Sequence, residues 1–406
     1  MPPFSGSSQR PSFRPKPTWW QKKPKEEKLP GDRNIMEGIA VPIIDIPEDN
    51  PKAQSVEITN CTYIGSYNWL ERETPTILVP GSPPQWLDKP MPYHVPVDKG
   101  VICCDRNGLN MPNTILLPLV VAVNKTAECK NSPPFDWTSV DFVLDRNALR
   151  KLMRWSNGTA HDFRFDLQLA GKKTVLVNRF PLKVLEEASG FSSRYNFEKQ
   201  SMQSLPDCSE HYRIVTLEMN GWQMVVRSEV DAFVPNEGNA LAPGVRSSDL
   251  DTQLRAMSLS SSNQEPNILK VQQGGRDIPA STLVELTTRS ALSSTERNVL
   301  NWRDRYSQLL FSETASHFLA LHERGNYQRL EKRSITAPEF KNAEEDAQKD
   351  IQKLVKVLEL IRNLVIEEGK EGRLSVVCMD KVLSIHKRQG RESCLPDSMM
   401  ALFESA

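Results

Sequence analysis

The sequence predicts an α+β fold: a mixed, largely antiparallel sheet with helices packed against it. Three observations carry this reading. Short apolar runs cut by turn residues dominate from Ile39 onward. Asn220-Gly221 joins two strand-like segments, the strongest short hairpin signal a sequence offers. Residues 341–368 carry Ile351, Leu354, Val355, Leu358, Ile361 and Val365 on one helical face.

In chain order, residues 1–35 are proline-rich, with eight Lys/Arg against three acids, and read as a disordered basic tail. Its cluster Lys22-Lys23-Pro24-Lys25 reads as a nuclear address, an RNA-touching arm or a solvated tail without function. A single domain is expected over 36–406, with a long polar insertion at 235–280 that includes the serine run Ser258–Ser262. Strands are expected at 40–46, 56–64 and 76–79, the last ended by Pro80-Gly81-Ser82-Pro83-Pro84. The apolar run Ile115–Val123 has strand length. A helix follows at 145–155, then strands at 174–180, 213–219, 222–227 and 282–286. The spacing of Val299, Leu300, Trp302, Tyr306, Leu309 and Leu310 predicts a helix over 296–311, with its aromatics in the core. A strand at 317–321 and a short element at 374–385 complete the pattern.

Composition excludes several classes. Basic and acidic residues balance at 51 each, so no global field marks a nucleic-acid or membrane protein. No run approaches the ~20 apolar residues of a membrane span, and MPPFSGSSQR lacks the apolar stretch of a secretory signal, so no membrane association is expected. The seven cysteines form no CxxC pair and read as reduced thiols. There is no GxxxxGK[ST] loop, GxGxxG, GxSxG or HExxH. His317 and His322 flank an apolar run and read as surface or edge positions.

What remains is a set of unusually placed carboxylates. Glu229-Val230-Asp231 follows directly on a strand, and alternation points both acids to one face. Glu285 ends the apolar run from Ser281. Acids at neighbouring strand ends, with a backbone carbonyl nearby, suit a hard divalent ion such as Mg²⁺. They are equally readable as exposed strand-end charges.

Taken together and in order, the segments resemble the decapping nuclease family that includes DXO and the fungal partner of the nuclear 5′–3′ exonuclease, whose core is related to the PD-(D/E)XK nucleases. DFVLDRNALRKLM resembles the family's arginine motif and implies a phosphate-contacting role for Arg146. SRYNFEKQ resembles GxKFE in its Phe-Glu core, implying Glu198. RIVTLEMNGWQMVVRSEVDAF resembles the strand pair leading into E-x-D, implying Glu229 and Asp231. LVELTTRSA resembles E-x-K, implying Glu285 and the Leu286 carbonyl, and YSQLLF places Gln308 at the polar position of the final motif.

The resemblance implies that Glu198, Glu229, Asp231, Glu285 and Leu286 hold Mg²⁺ or Mn²⁺, with Arg146 and Gln308 binding the substrate. The implied reaction is hydrolysis at RNA 5′ ends: incompletely capped, triphosphorylated or NAD-capped, in some members with 5′–3′ exonuclease activity. A partner exonuclease is implied as well; the basic tail and the lack of a secretory signal favour a nuclear or cytoplasmic location, the nucleus ahead. Two departures stand out. Thr287 occupies the place of the E-x-K lysine, a catalytic position, with Arg289 two residues on; and the glycine of GxKFE is absent, with Arg194 and Tyr195 nearby. They open a second reading, a catalytically degenerate protein that binds RNA or a partner exonuclease, and a nuclease acting on DNA stays open too. Arg146 is also readable as a surface partner of Asp141 or Asp145, and Gln308 as an ordinary helix-boundary residue.

Overall fold

The computed structural model describes residues 28–46, 55–235, 269–291 and 300–404. The Lys22–Lys25 cluster and the serine run lie outside them. Two sheets meet where the chain leaves the strand Trp222–Glu229 and enters the strand Ala232–Phe233.

The larger sheet has eleven strands. From edge to edge they are Ile39–Asp45, Val382–Arg388, Leu374–Met379, Phe163–Ala170, Thr174–Phe180, Phe142–Asp145, Trp222–Glu229, Cys208–Met219, Ile58–Leu70, Thr76–Val79 and Lys270–Gln273. Only Phe142–Asp145 with its two neighbours, and Lys270–Gln273 with Thr76–Val79, pair in parallel. The second sheet has seven strands, centred on Ala232–Phe233, Leu283–Ser290 and Ser316–Glu323. The α+β expectation is borne out.

Both faces of the large sheet are covered, and the side-chain alternation shows it. Met224 and Val226 pack with Leu354, Leu358 and Ile361 of the helix Pro338–Glu368 and with Leu149 and Leu152 of the helix Arg146–Ser156. Val225, between them, faces Leu119, Val120 and Val123 of the helix Leu117–Cys129. The hairpin turn behaves as its residues require, with Asn220 and Gly221 both at positive φ, 54° and 76°.

Several boundaries differ from the sequence expectation. From Leu117 onward the run Ile115–Val123 forms the first turns of the helix Leu117–Cys129, which opens on Pro118; the run is buried nearly all round, so no polar stripe within it marks a helical period. The expected insertion includes the edge strand Lys270–Gln273; residues 236–268 are not among those described. The element at 374–385 is a hairpin turning at Asp380 and Lys381, both at positive φ. The helix expected from 296 runs over Trp302–Leu310, with Asn301 accepting from the Asp304 amide as its cap. Within the expected tail, residues 28–35 are fastened to the body: the Arg33 amide donates to the Leu182 carbonyl, and its guanidinium lies 3.6 Å from the Phe180 ring centroid. No helix of the described residues is long and apolar enough to cross a membrane.

The long helix is the main lid on this core. Leu358→Ala should cost about 2–5 kcal/mol, the range for a buried leucine truncated in place, read as a lowered urea midpoint with the folded-state far-ultraviolet spectrum retained.

Candidate functional site

The pocket is built outward from a buried ionic contact. Parallel pairing sets Asp145 opposite Arg227. Arg227 Nε and Nη2 donate to the two Asp145 oxygens at 2.6 and 2.9 Å. Its Nη1 donates to Tyr67 Oη and the Ile115 carbonyl, both at 2.9 Å. Arg179 bridges Asp145 to Asp105 at 2.5 Å each. Burial by itself would raise the Asp145 carboxyl, but Arg227 and Arg179 overcome this and hold it down at about 2.

Asp145 immediately precedes the helix Arg146–Ser156, and Arg227 comes two residues before Glu229. The contact therefore sets the helix's first residue and the E-x-D strand end around one cavity of about 510 Å³. Its wall carries Arg146, Glu229, Asp231, Glu285, Leu286, Thr287 and Gln308, seven of the eight residues the sequence nominated. Glu198 is not on the wall. It accepts from Arg194 Nε at 2.8 Å, and Arg194 is on the wall.

Arg146 pairs with neither Asp141 nor Asp145. Its fork donates to both oxygens of buried Glu285, at 2.9 and 3.2 Å, and Gln308 Nε2 donates to Glu285 as well. Arg305 Nη1 in turn donates to Gln308 Oε1 at 2.8 Å. Asp231 Oδ2 accepts from the Leu286 amide at 2.7 Å, which ties the E-x-D turn to the neighbouring strand. Thr287 Oγ1 and His317 Nε2 lie 3.0 Å apart. His317 is fully buried, between Trp302 and Phe340, rather than at a surface or edge. Burial, then Arg305 and Arg333, hold its imidazole down at about 3, in the neutral form.

The acids repel one another. Burial, then Glu285, Glu198 and Glu229, push the Asp231 carboxyl well above the carboxylate range. Desolvation by the surrounding protein, then Glu210, pushes Glu229 up to about 7, although its side chain is open to the pocket. The carboxylates of Glu229, Asp231 and Glu285 are hard oxygen donors on one wall, so the donor set suits a divalent ion in kind. Among the described residues, however, no three His, Cys, Asp or Glu side chains converge closely enough to hold an ion. Glu285 is engaged by Arg146 and Gln308 instead.

Beyond Arg289, the motifs do not mark the outer cations. Arg150 and Arg154 share Asp304, and they line the pocket with Arg289 and Arg305. Arg146, Arg150 and Arg154 recur at four-residue spacing, one helix face, which is the signal that was available.

This architecture is that of the Rai1 and Dxo1 proteins. The S. pombe Rai1 structure matches at a TM-score of 0.56 and 12% identity, covering 85% of this chain and 99% of that one. Candida albicans Rai1, in complex with pU5-Mn2+, matches at 0.51 and 10%, covering 89% and 98%. K. lactis Dxo1, in complex with manganese, matches at 0.51 and 9%, covering 87% and 97%. The resemblance read from the sequence is thus borne out in the fold. The chain belongs to the family described as a domain of unknown function, DUF8563, whose model matches residues 39–400. No curated protein matches it by sequence.

Asp145 gives the site its acid limit. Its pKa is lowered by folding from 3.8 to about 2, so its contribution to stability is complete above pH 4 and lost as pH falls toward 2. Melting temperature followed from pH 5 to pH 2 should fall more steeply for the wild type than for Asp145→Asn. Arg227→Met, which leaves the buried Asp145 carboxylate with Arg179 as its one remaining cation among the described residues, should cost about 3–5 kcal/mol at neutral pH.

Proposed function

We propose that this protein acts on RNA 5′ ends, hydrolysing a phosphodiester or phosphoanhydride bond with the help of a divalent metal. The observation that carries the reading is the pocket itself: Glu229, Asp231, Glu285 and Leu286 line one cavity at the junction of two sheets, inside a wall of arginines. Its support is the Rai1 and Dxo1 fold, whose members have been captured with pU5-Mn2+ and with manganese.

Glu229, Asp231 and Glu285, with the Leu286 carbonyl that the family resemblance implies, are the donors available to an ion, which would have to draw the acids together and take Glu285 from Arg146 and Gln308; Glu198 stands behind Arg194. Mg²⁺ or Mn²⁺ bound there would supply an activated water and stabilise charge on the phosphate oxygens. The chain's own groups do the rest. The Leu286 amide fixes Asp231, and Arg305 fixes Gln308. Arg146, whose planar fork matches a phosphate as well as a carboxylate, holds the terminal phosphate once it exchanges Glu285 for the substrate. Thr287, where the related family has lysine, offers an uncharged hydroxyl oriented by His317.

A second reading is binding without hydrolysis, of RNA or of a partner exonuclease. It is favoured by Arg146, which already neutralises Glu285, and by Thr287, which brings no positive charge beside the acids.

Purified protein should release the 5′ group from triphosphate, unmethylated-cap or NAD-cap RNA with Mg²⁺ or Mn²⁺, and the Glu229→Ala/Asp231→Ala variant should not. Silence of both folded proteins on all three substrates gives the second reading. Thr287→Lys should raise hydrolysis by about 10²–10³-fold, the scale of a single electrostatic group aimed at a transition state. An unchanged rate in a folded variant would mean that another residue already fills that role.

A further inference from the structure

Outside the acid cluster, the segment just before Arg194 holds an aromatic ring in water. Phe191 is 92% exposed, the most of any large apolar side chain among the described residues. Its backbone is nonetheless pinned on both sides. The Ala188 amide donates to the Gly100 carbonyl at 2.9 Å, and the Asp98 amide to the Ser192 carbonyl at 2.7 Å. Buried Asp98 accepts in turn from the Asn196 amide at 2.9 Å, and Ser193 Oγ lies 2.9 Å from Tyr327 Oη. Gly190 supplies the turn, at φ 72°. Val97 and Val101, on the segment these bonds join to the loop, are exposed as well. The ring is therefore displayed by a tethered stretch of fold.

That stretch leads directly into the pocket. Arg194 comes three residues later, at most about 11 Å along the chain, and it lines the cavity with half its side chain in solvent. Its guanidinium lies 5.6 Å from the Tyr195 ring centroid, and Tyr195 Oη donates to Glu186 at 3.1 Å, which fixes that ring. Aromatic faces interleaved with a guanidinium are what unpaired bases stack on, because every base has a π-face and its backbone is anionic. A continuous duplex hides those faces.

We propose that Phe191, together with Arg194 and Tyr195, is a base-stacking platform at the pocket mouth that takes one unpaired nucleobase of a bound strand, purines ahead of pyrimidines. The assignment of RNA as the occupant rests on the function proposed above. The platform adds to it a demand for single strand, and a base preference, at a position the acids do not reach.

The test places 2-aminopurine, whose fluorescence falls when it stacks, at successive positions of a short 5′-monophosphate RNA, from the second nucleotide onward. Binding is measured in EDTA, and again with Mn²⁺ on RNA whose phosphorothioate linkages resist cleavage. One position should be quenched by the wild type and by Phe191→Trp, and not by Phe191→Ala. Affinity should fall about 5–100-fold in Phe191→Ala, the scale of one base stacked on one ring. An abasic nucleotide at the quenched position should weaken the wild type by a similar factor and Phe191→Ala hardly further. Because the ring is in solvent, Phe191→Ala should keep the wild-type melting temperature.

Equal affinity and equal quenching in wild type and Phe191→Ala overturn the platform and leave the 5′-end reading to its own hydrolysis assay. A wild type that binds none of these RNAs overturns both. Self-association that sedimentation detects in the wild type and Phe191→Ala abolishes, with quenching unchanged, would give this surface to a second copy of the chain and overturn the proposal. If the quenching is seen and lost as expected while no RNA is hydrolysed, the hydrolase reading fails and the platform is upheld.

Discussion

The pocket depends on the contact between Arg227 and Asp145. The two residues face each other on parallel strands, buried and bonded through two nitrogens. An ion pair in such a place is worth little against a well-packed apolar alternative, but it is expensive to break. Its value is positional. A one-residue slip between these strands would turn both side chains to opposite faces and strand two charges. It would also carry Arg146 and Glu229 away from the cavity, since each is joined within two residues to a partner of the pair. Arg179, Asp105, Tyr67 and the Ile115 carbonyl occupy the remaining polar positions around it, so the register is set from several sides.

From this anchor the site follows as a problem in charge. Glu229, Asp231 and Glu285 are brought to one place by two sheets and repel one another there. Arg146 relieves one of them, turning both Nη atoms to Glu285, with Nη1 also donating to the Gln308 carbonyl. The same guanidinium cannot hold a phosphate in that arrangement. The two functional readings divide on this point: a phosphate strong enough to draw Arg146 away frees the Glu285 oxygens, and one that is not leaves the acid neutralised and the pocket a binding site.

Much of this was legible in the sequence, for identifiable reasons. Amphipathic and alternating elements are written in local order, so the long helix and the hairpin about Asn220-Gly221, expected over 213–227, could be read directly. The strand-end acids were legible because E-x-D after an apolar run is locally unusual. Three features were not. The helix Leu117–Cys129 starts with two turns that are buried nearly all round, so the apolar run itself shows no stripe. The strand Lys270–Gln273 is a polar edge, recognised only by the partner it pairs with at 76–79. The burial of His317 depends on Trp302 and Phe340 closing over it from two separate helices. Glu198 shows the converse limit: the motif nominated the residue, but its geometry makes it the holder of Arg194 rather than part of the wall.

The redistribution of positive charge bears on what the site can do fast. Beside the acids, where the related family places a lysine, this chain has Thr287 held by a neutral imidazole. Further cations line the same pocket, at Arg150, Arg289 and Arg305. A charge next to the reacting phosphorus strengthens its interaction as the transition state forms. Arginines gripping phosphates that do not react bind substrate and transition state alike, and that lowers KM without raising kcat. On the proposed function, the pocket is therefore arranged to capture its ligand tightly and to turn it over slowly. Recovering speed needs charge restored at residue 287; adding more along the wall would deepen the hold alone.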